Sequence, residues 1–283
     1  MVIQAEATTP SAILDRASLL LDAFDGPGRL TLAQIVRRTG LPRSSAHRML
    51  ERLVQLRWLR REGRDYELGI RLMELGSLAV HQDRLHRAAM PFLHELHRVT
   101  GFVVHLAVLD GSDVVYLDRI GGDLSVPTRV GGRRPAAYTA VGKAILAYAD
   151  DRRLAEAMTA GQAGTRTRYS VTTRAQLDAA LEKVRAHGVA VEREESLSGF
   201  GCLAAPIGDP GQAAVAAVSV CGPVDRMVFD HRLAGAVRTT ALNIWRHVDD
   251  GRVRVHPTLQ HARPLGLGPM ARPHPEQRVS HSA

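Results

Sequence analysis

Near the N-terminus, hydrophobic positions recur at helical spacing in three bursts separated by glycine- and proline-bearing turns. The first burst runs from Ser11 to Phe24 and stops at Asp25-Gly26-Pro27-Gly28. The second opens at Thr31 with Gln34 three residues on, the spacing of a capping box, turns Leu32, Ile35 and Val36 inward, and ends at Thr39-Gly40. The third begins at Pro42 and carries Ala46, Met49, Leu50 and Leu53 on one face. Trp58–Arg61 and Asp65–Leu68 then flank Glu62-Gly63-Arg64, a short hairpin. From Ile70 a single continuous helical pattern through Leu72, Leu75 and Ala79 runs towards His86, as a connector would.

Beyond it the periodicity mixes. Met90–Thr100 predicts a helix closed by Gly101, and Phe102–Leu109 and Val114–Ile120 alternate around Asp110-Gly111-Ser112-Asp113. Leu124–Val130 predicts a further strand, followed by helices over Thr139–Ala149 and Thr173–His187. Strands over Val189–Arg193, Cys202–Ile207 and Ala213–Val220 and a helix over Met227–His247 complete an α+β second half. The domains expected are therefore a leader at 1–10, a winged helix-turn-helix at 11–69, a linker helix at 70–88, a sensor domain at 89–248 and a disordered basic tail at 249–283.

Composition narrows the function classes. At 283 residues and 45% hydrophobic, the chain has material for two cores. It lacks any apolar run long enough to span a bilayer, and its start has neither the basic nor the apolar region of a secretory signal. Two cysteines without a C-x-x-C pair fit a reducing, cytoplasmic setting. The net charge of +8 favours a polyanionic partner. Positive charge is almost all arginine, since Lys143 and Lys183 are the only lysines, a bias that genome composition explains as well as recognition does.

The chemistry of the third burst is two-faced. Opposite its apolar side lie Arg43, Ser44, Ser45, His47, Arg48, Glu51 and Arg52. The N-terminal part of a recognition helix enters the major groove of double-stranded DNA, so Arg43, Ser44, Ser45, His47 and Arg48 are placed for bases or phosphates. Arg52 falls where phosphate is nearer, and Arg60, Arg61 and Arg64 sit on the hairpin as a wing. A helical bundle with a solvated basic face would show some of these features, but not the wing. Enzyme signatures are missing: there is no G-x-S-x-G, H-E-x-x-H, P-loop or dinucleotide-binding glycine run. Cys202 has no histidine placed to activate it, and His94, His97 and His105 lack a completing ligand and are expected at the surface. Neither a cofactor nor a metal is expected. A small-molecule sensor acting through protein partners is the alternative, which leaves residues 11–68 without a purpose.

The runs TLAQIVRRTGLPRSSAHRMLERLVQLRWL, YELGIRLMELG, AAYTAVGKAILAYA, HGVAVEREES and GCLAAPIGDPGQAAVAAVSVCGP, in that order, closely resemble the IclR family of bacterial transcriptional regulators. The resemblance spans about Ser11 to Val248. It implies a winged helix-turn-helix, a linker helix used in dimerisation, and a GAF-like effector domain with an antiparallel sheet flanked by helices. It further implies a homodimer or homotetramer on a near-palindromic operator, repressing or activating in response to a small metabolite. Mapped onto this chain, the effector pocket falls at Ala140, Val141, Glu192, Phe200, Cys202, Ser219 and Cys221. From the residues themselves, the helix start at Thr139 offers N–H groups suited to a carboxylate or aromatic acid. Glu192 reads equally as a ligand contact and as the cap of a surface loop with Glu194 and Glu195. Arg129, Arg133, Arg134 and Tyr138 stand as candidate entrance residues.

Overall fold

The computed structural model describes residues 13–26, 28–122, 126–161 and 167–249. The expected leader, and all of the expected tail beyond Asp249, lie outside them. The described residues divide into two compact units, one ending at Gln82 and one beginning at Asp83.

In the first unit, α1 (Ile13–Asp22), α2 (Leu32–Thr39) and α3 (Arg43–Gln55) surround one apolar cluster that includes Leu20, Ile35, Ala46, Leu50 and Leu53. The capping box forms as its spacing predicts. The Gln34 N–H donates to Thr31 Oγ1 at 3.3 Å, and Gln34 Oε1 accepts the Thr31 N–H at 2.7 Å. Gly40 takes the left-handed conformation at φ 68° that ends α2, and Leu41 is buried in the turn, which aims α3 across the helices before it. Pro42 precedes α3 as its cap residue. The hairpin strands β2 (Leu59–Glu62) and β3 (Asp65–Leu68) are joined by a two-residue turn, and β1 (Leu30–Thr31), which the sequence pattern does not announce, pairs with β3. This helix-turn-helix with a three-stranded wing is followed by α4 (Ile70–Gln82).

The connector is not continuous. Asp83 adopts an extended conformation at φ −72°, ψ 118°, and its carboxylate accepts the His86 N–H at 2.9 Å, so it caps a new helix, α5 (Arg84–Thr100). His86 thus belongs to α5, together with the residues expected to form a helix from Met90. Apolar periodicity carries across the break, and the capping aspartate is the signal that it masks.

The second unit is a six-stranded antiparallel sheet with helices on both faces. Its strands are β4 (Val103–Asp110), β5 (Asp113–Ile120), β6 (Arg133–Pro135), β7 (Ala190–Arg193), β8 (Phe200–Ile207) and β9 (Ala216–Pro223), in the order β6-β5-β4-β9-β8-β7. Leu106, Leu203, Val218 and Val220 lie on the face covered by α5 and α9 (His231–Asp249). Ala107, Tyr116, Ala204 and Ala217 lie on the other, covered by α6 (Ala140–Leu146), α7 (Asp151–Gly161) and α8 (Arg174–His187).

Several expectations are corrected. Val126–Val130 is no strand, because Pro127 has no N–H to give a ladder and the edge of β5 is already taken. Tyr116 donates to the Gly132 carbonyl and accepts from the Gly131 N–H, and Arg133–Pro135 continues that pairing. The helix expected over Thr139–Ala149 is only seven residues long. The helix after it, α7, is absent from the expectation, although Asp150 caps it by accepting the Arg153 N–H at 2.9 Å. The last strand and last helix begin three and four residues later than their patterns suggest.

Gly142 shows how tightly α6 is seated. A Cβ there would lie 2.1 Å from the carbonyl oxygen of Ala136, which is backbone in the turn leading into the helix. Gly142→Ala is therefore expected to destabilise the chain by roughly 1–3 kcal/mol. A thermal melt of the full chain should show its Tm falling by several degrees, at about 2–4 °C per kcal/mol; an unchanged Tm would mean that the turn yields freely.

Candidate functional site

Two features stand out, one in each unit. In the first, α3 hides Ala46, Leu50 and Leu53 and leaves Arg43, Ser44, His47, Arg48 and Arg52 exposed. Ser45 is half-buried at the edge of the packed face, so it is less open than its neighbours. Among the described residues, the guanidinium groups of Arg43, Arg48 and Arg64 have no hydrogen bond or ion pair. The remaining wing cations are engaged: Arg60 forks onto Glu67, and Arg61 meets Glu51 at 3.0 Å. Glu51, expected on the open face, is instead a strut, since the Tyr66 hydroxyl also donates to it at 3.1 Å. The strut ties α3 to the wing and holds the two basic surfaces in one orientation.

In the second unit a cavity of about 30 Å³, counted as room for the centres of water molecules, lies between the sheet and the segment from Val126 to Val141. Its wall includes all seven residues that the resemblance selects: Ala140, Val141, Glu192, Phe200, Cys202, Ser219 and Cys221. Strand pairing explains the convergence. Glu192 faces Cys202 across β7 and β8, Cys202 faces Cys221 across β8 and β9, and Ser219 faces His105 across β9 and β4. Residues two apart on one strand share a face, so these rows lie on the same side of the sheet.

The chemistry within is specific. Glu192 is buried, and its Oε1 accepts the backbone N–H groups of Glu195 at 2.6 Å and Ser196 at 3.0 Å. It is therefore both the cap of a loop whose tip, Ser198-Gly199, is exposed and a wall of the cavity. Burial pushes its carboxyl above the usual range, against the pull of those N–H groups and of Lys143. Lys143 is 2% exposed and donates to Glu195 at 2.6 Å and to the Val191 carbonyl at 3.0 Å. Of the four entrance candidates, Arg134 reaches the cavity and donates to the Pro127 carbonyl at 3.1 Å. Arg133 turns away to Asp110, and Tyr138 is core.

His105 is the main correction. Expected at the surface, it is buried in the cavity wall, with Nε2 2.7 Å from Thr128 Oγ1 and Nδ1 3.5 Å from Ser219 Oγ. Burial, reinforced by the Arg119 charge, pushes it down to about 3, so it is a neutral imidazole. His97 shares its ring proton with the Phe102 carbonyl at 2.7 Å. Among the described residues no group of three or more His, Cys, Asp or Glu is arranged to hold a metal, and no helix is long and apolar enough to cross a membrane.

Comparison with known proteins decides the family. The family profile of the bacterial transcriptional regulator IclR C-terminal domain matches residues 77–246, and that of the IclR helix-turn-helix domain matches residues 13–63. The chain belongs to the IclR family. It is 32% identical to the HTH-type transcriptional regulator XynR of Escherichia coli over 226 residues, which is 78% of this chain and 89% of XynR. A transcriptional regulator of Rhodococcus sp. RHA1 is 30% identical with a TM-score of 0.72, over 84% of this chain and 98% of that one. An IclR homologue of Microbacterium hydrocarbonoxydans, solved in complex with 4-hydroxybenzoate, is 26% identical with a TM-score of 0.73, over 84% of this chain and all of the other. The protein is thus a DNA-binding transcriptional regulator of the IclR family, a family of regulators and not of enzymes.

Within this IclR chain, the polar cavity residues His105 and Thr128, and Lys143, which lies outside the cavity lining and donates to Glu195, are not announced by the sequence. His105 shares its parity with Val103 and Ala107, but β4 is apolar at both parities, so parity alone does not mark which face it takes. Thr128 and Lys143 carry no signal either, since their roles depend on a loop fold and on a contact across 48 positions in the chain.

The neutral imidazole carries a pH signature. An unfolded histidine takes up a proton below about pH 6.5, whereas His105 in the folded chain stays neutral down to about 3. Stability from this group is therefore full above the unfolded value and is lost as pH falls through that window, by about 1.4 kcal/mol per pH unit. Glu192 and Glu195, both raised, act in the opposite direction, so the share of His105 is the difference from His105→Gln. Urea melts between pH 7 and 4 should show the wild type losing ground to the variant; parallel curves would place a charged imidazole in the wall.

Proposed function

We propose that the chain is a homodimeric or homotetrameric regulator whose affinity for a near-palindromic operator is set by a small organic acid in the cavity of the second unit. The observation that carries this is the cavity itself, where a buried carboxyl, a neutral imidazole and the Ser219 and Thr128 hydroxyls converge on a small, partly open space. The space has room for only a few water molecules, whereas a cavity that holds a benzene ring is about 150 Å³. An aromatic acid such as 4-hydroxybenzoate, bound by the Microbacterium homologue, would enter only if part of the wall moved. A ligand that requires a second arrangement favours it, which is the differential affinity that control of DNA binding needs.

Oligomerisation is proposed through α4. None of its residues is buried, although Ile70, Met73 and Leu78 are apolar and 54%, 68% and 53% exposed. A second copy of the same helix would cover them, and a twofold pair of α3 helices would match a near-palindromic site. Asp83 lies where the first unit gives way to the second, so the proposed signal passes through a helix break and not along a rigid rod.

On this reading Arg43, Ser44, His47 and Arg48 face base edges or phosphates, Arg52 and Arg64 meet phosphates, and Arg60 and Arg61 shape the wing through Glu67 and Glu51. Arg48→Ala is expected to cost specific duplex binding roughly 1–3 kcal/mol if it reads a base. Fluorescence anisotropy on an enriched duplex and on random DNA separates the cases, because an equal loss on both would reduce Arg48 to a phosphate contact. Sedimentation of the Leu72→Glu, Leu75→Glu double variant should show monomers with weakened DNA binding. A dimer that persists and binds normally would remove α4 from the interface.

A further inference from the structure

We propose that Cys202 and Cys221 form a two-point site for a trivalent thiophilic element such as arsenic(III), at the sheet side of the cavity. The site shares the cavity wall with the proposed effector but does not rest on effector control. Its basis is the register of three strands. Within an antiparallel ladder, successive residues of a strand direct their N–H and C=O groups to opposite neighbours. The Glu194 N–H donates to the Phe200 carbonyl at 2.8 Å, and the Val224 N–H donates to the Gly199 carbonyl at 2.9 Å. In β8, therefore, even-numbered residues bond towards β7 and odd-numbered ones towards β9. Cys202 spends its backbone groups on β7, which makes Cys202 and Cys221 a non-hydrogen-bonded pair across β8 and β9. Such pairs have Cα atoms about 4.5 Å apart and the closest side chains in a sheet.

Both thiols are free, both line the cavity, and both pack among Val103, Val126 and Phe200. They are the only cysteines in the chain. The separation falls within the range of about 4.4–6.8 Å between Cα atoms that disulfides span, so the two thiols are close enough to share one bridging atom, with a direct bond as the competing outcome. A hydrogen bond with Cys221, burial and the Glu192 carboxyl all push the Cys202 thiol well up. Cys202 is thereby protected from reagents that need its thiolate. A two-point ligand escapes that protection, because the second thiol attacks at high effective concentration. Arsenous acid is small enough for the cavity. Two S–As bonds form and two As–OH bonds break; each thiol proton leaves with one hydroxyl, giving two waters. Arsenic stays trivalent, no electrons are transferred, and the third As–OH remains.

The test uses the reduced full-length chain with arsenite as the probe, and measures bound arsenic and remaining free thiols together. The expected result is one arsenic per chain with both thiols consumed, stable to excess monothiol and released by a dithiol. Cys202→Ser and Cys221→Ser should each weaken binding about a hundredfold or more. One arsenic with a free thiol left over, release by monothiol, or serine variants that bind as the wild type does would overturn the proposal. So would loss of thiols without bound arsenic, which would mark a disulfide. Should either serine variant fail to fold, the wild-type ratio of arsenic to consumed thiols decides the matter alone.

Discussion

The second unit depends on the strict alternation of side chains along β4, β8 and β9. In β9, Ala216, Val218 and Val220 point to the face beneath α5 and α9, while Ala217, Ser219 and Cys221 point to the other. Along these three strands the face beneath α5 and α9 is aliphatic and packs as a core of its own. That frees the second face to carry a serine, a histidine and two thiols next to small residues, where bulk would close the cavity. A shift of one residue in any of these pairings would bury Ser219 and Cys221 under aliphatic helices and turn valines into the cavity. The register is therefore what creates the site, and the buried side chains that hold the register are part of its mechanism.

The first unit works by a different constraint. Its recognition helix is oriented by packing, through Ala46, Leu50 and Leu53, and its wing is oriented by charge, through Glu51 and Glu67. Committing Arg60 and Arg61 to those carboxylates removes them from the pool of free cations. In α3 and the wing, Arg43, Arg48, Arg52 and Arg64 are left facing outward without an ion pair among the described residues, a smaller and better defined set than the arginine count suggests. A basic net charge attracts a duplex from a distance; the intramolecular ion pairs decide which arginines can meet it.

Much of this was legible in the sequence where local rules act. Thr31 and Gln34, Gly40, Gly101, Thr173 and Gly188 each mark a helix end where the structure has one. The two-faced character of α3 follows from its spacing, and the seven pocket residues drawn from family resemblance share one cavity wall. What escaped depends on competition between segments. Val126–Val130 reads as a strand by composition, but Gly131–Pro135 occupies the neighbouring edge of β5. Asp83 breaks a helix whose apolar pattern runs on, since a capping side chain outweighs periodicity at one position. His105 is hidden because a polar side chain in a strand looks alike whether it faces water or a cavity, until Thr128 and Ser219 come to meet it.

A molecule in the cavity is proposed to change how the chain binds DNA. Equilibrium binding to an enriched duplex, measured with and without a panel of small aromatic and aliphatic acids, tests it directly in the wild type and in Ser219→Leu, which fills the cavity. At least one acid is expected to shift DNA affinity severalfold in the wild type and to leave the variant unmoved, with DNA shifting the affinity for that acid by the same factor. DNA affinity that no acid alters, or that an acid alters equally in both proteins, would contradict it.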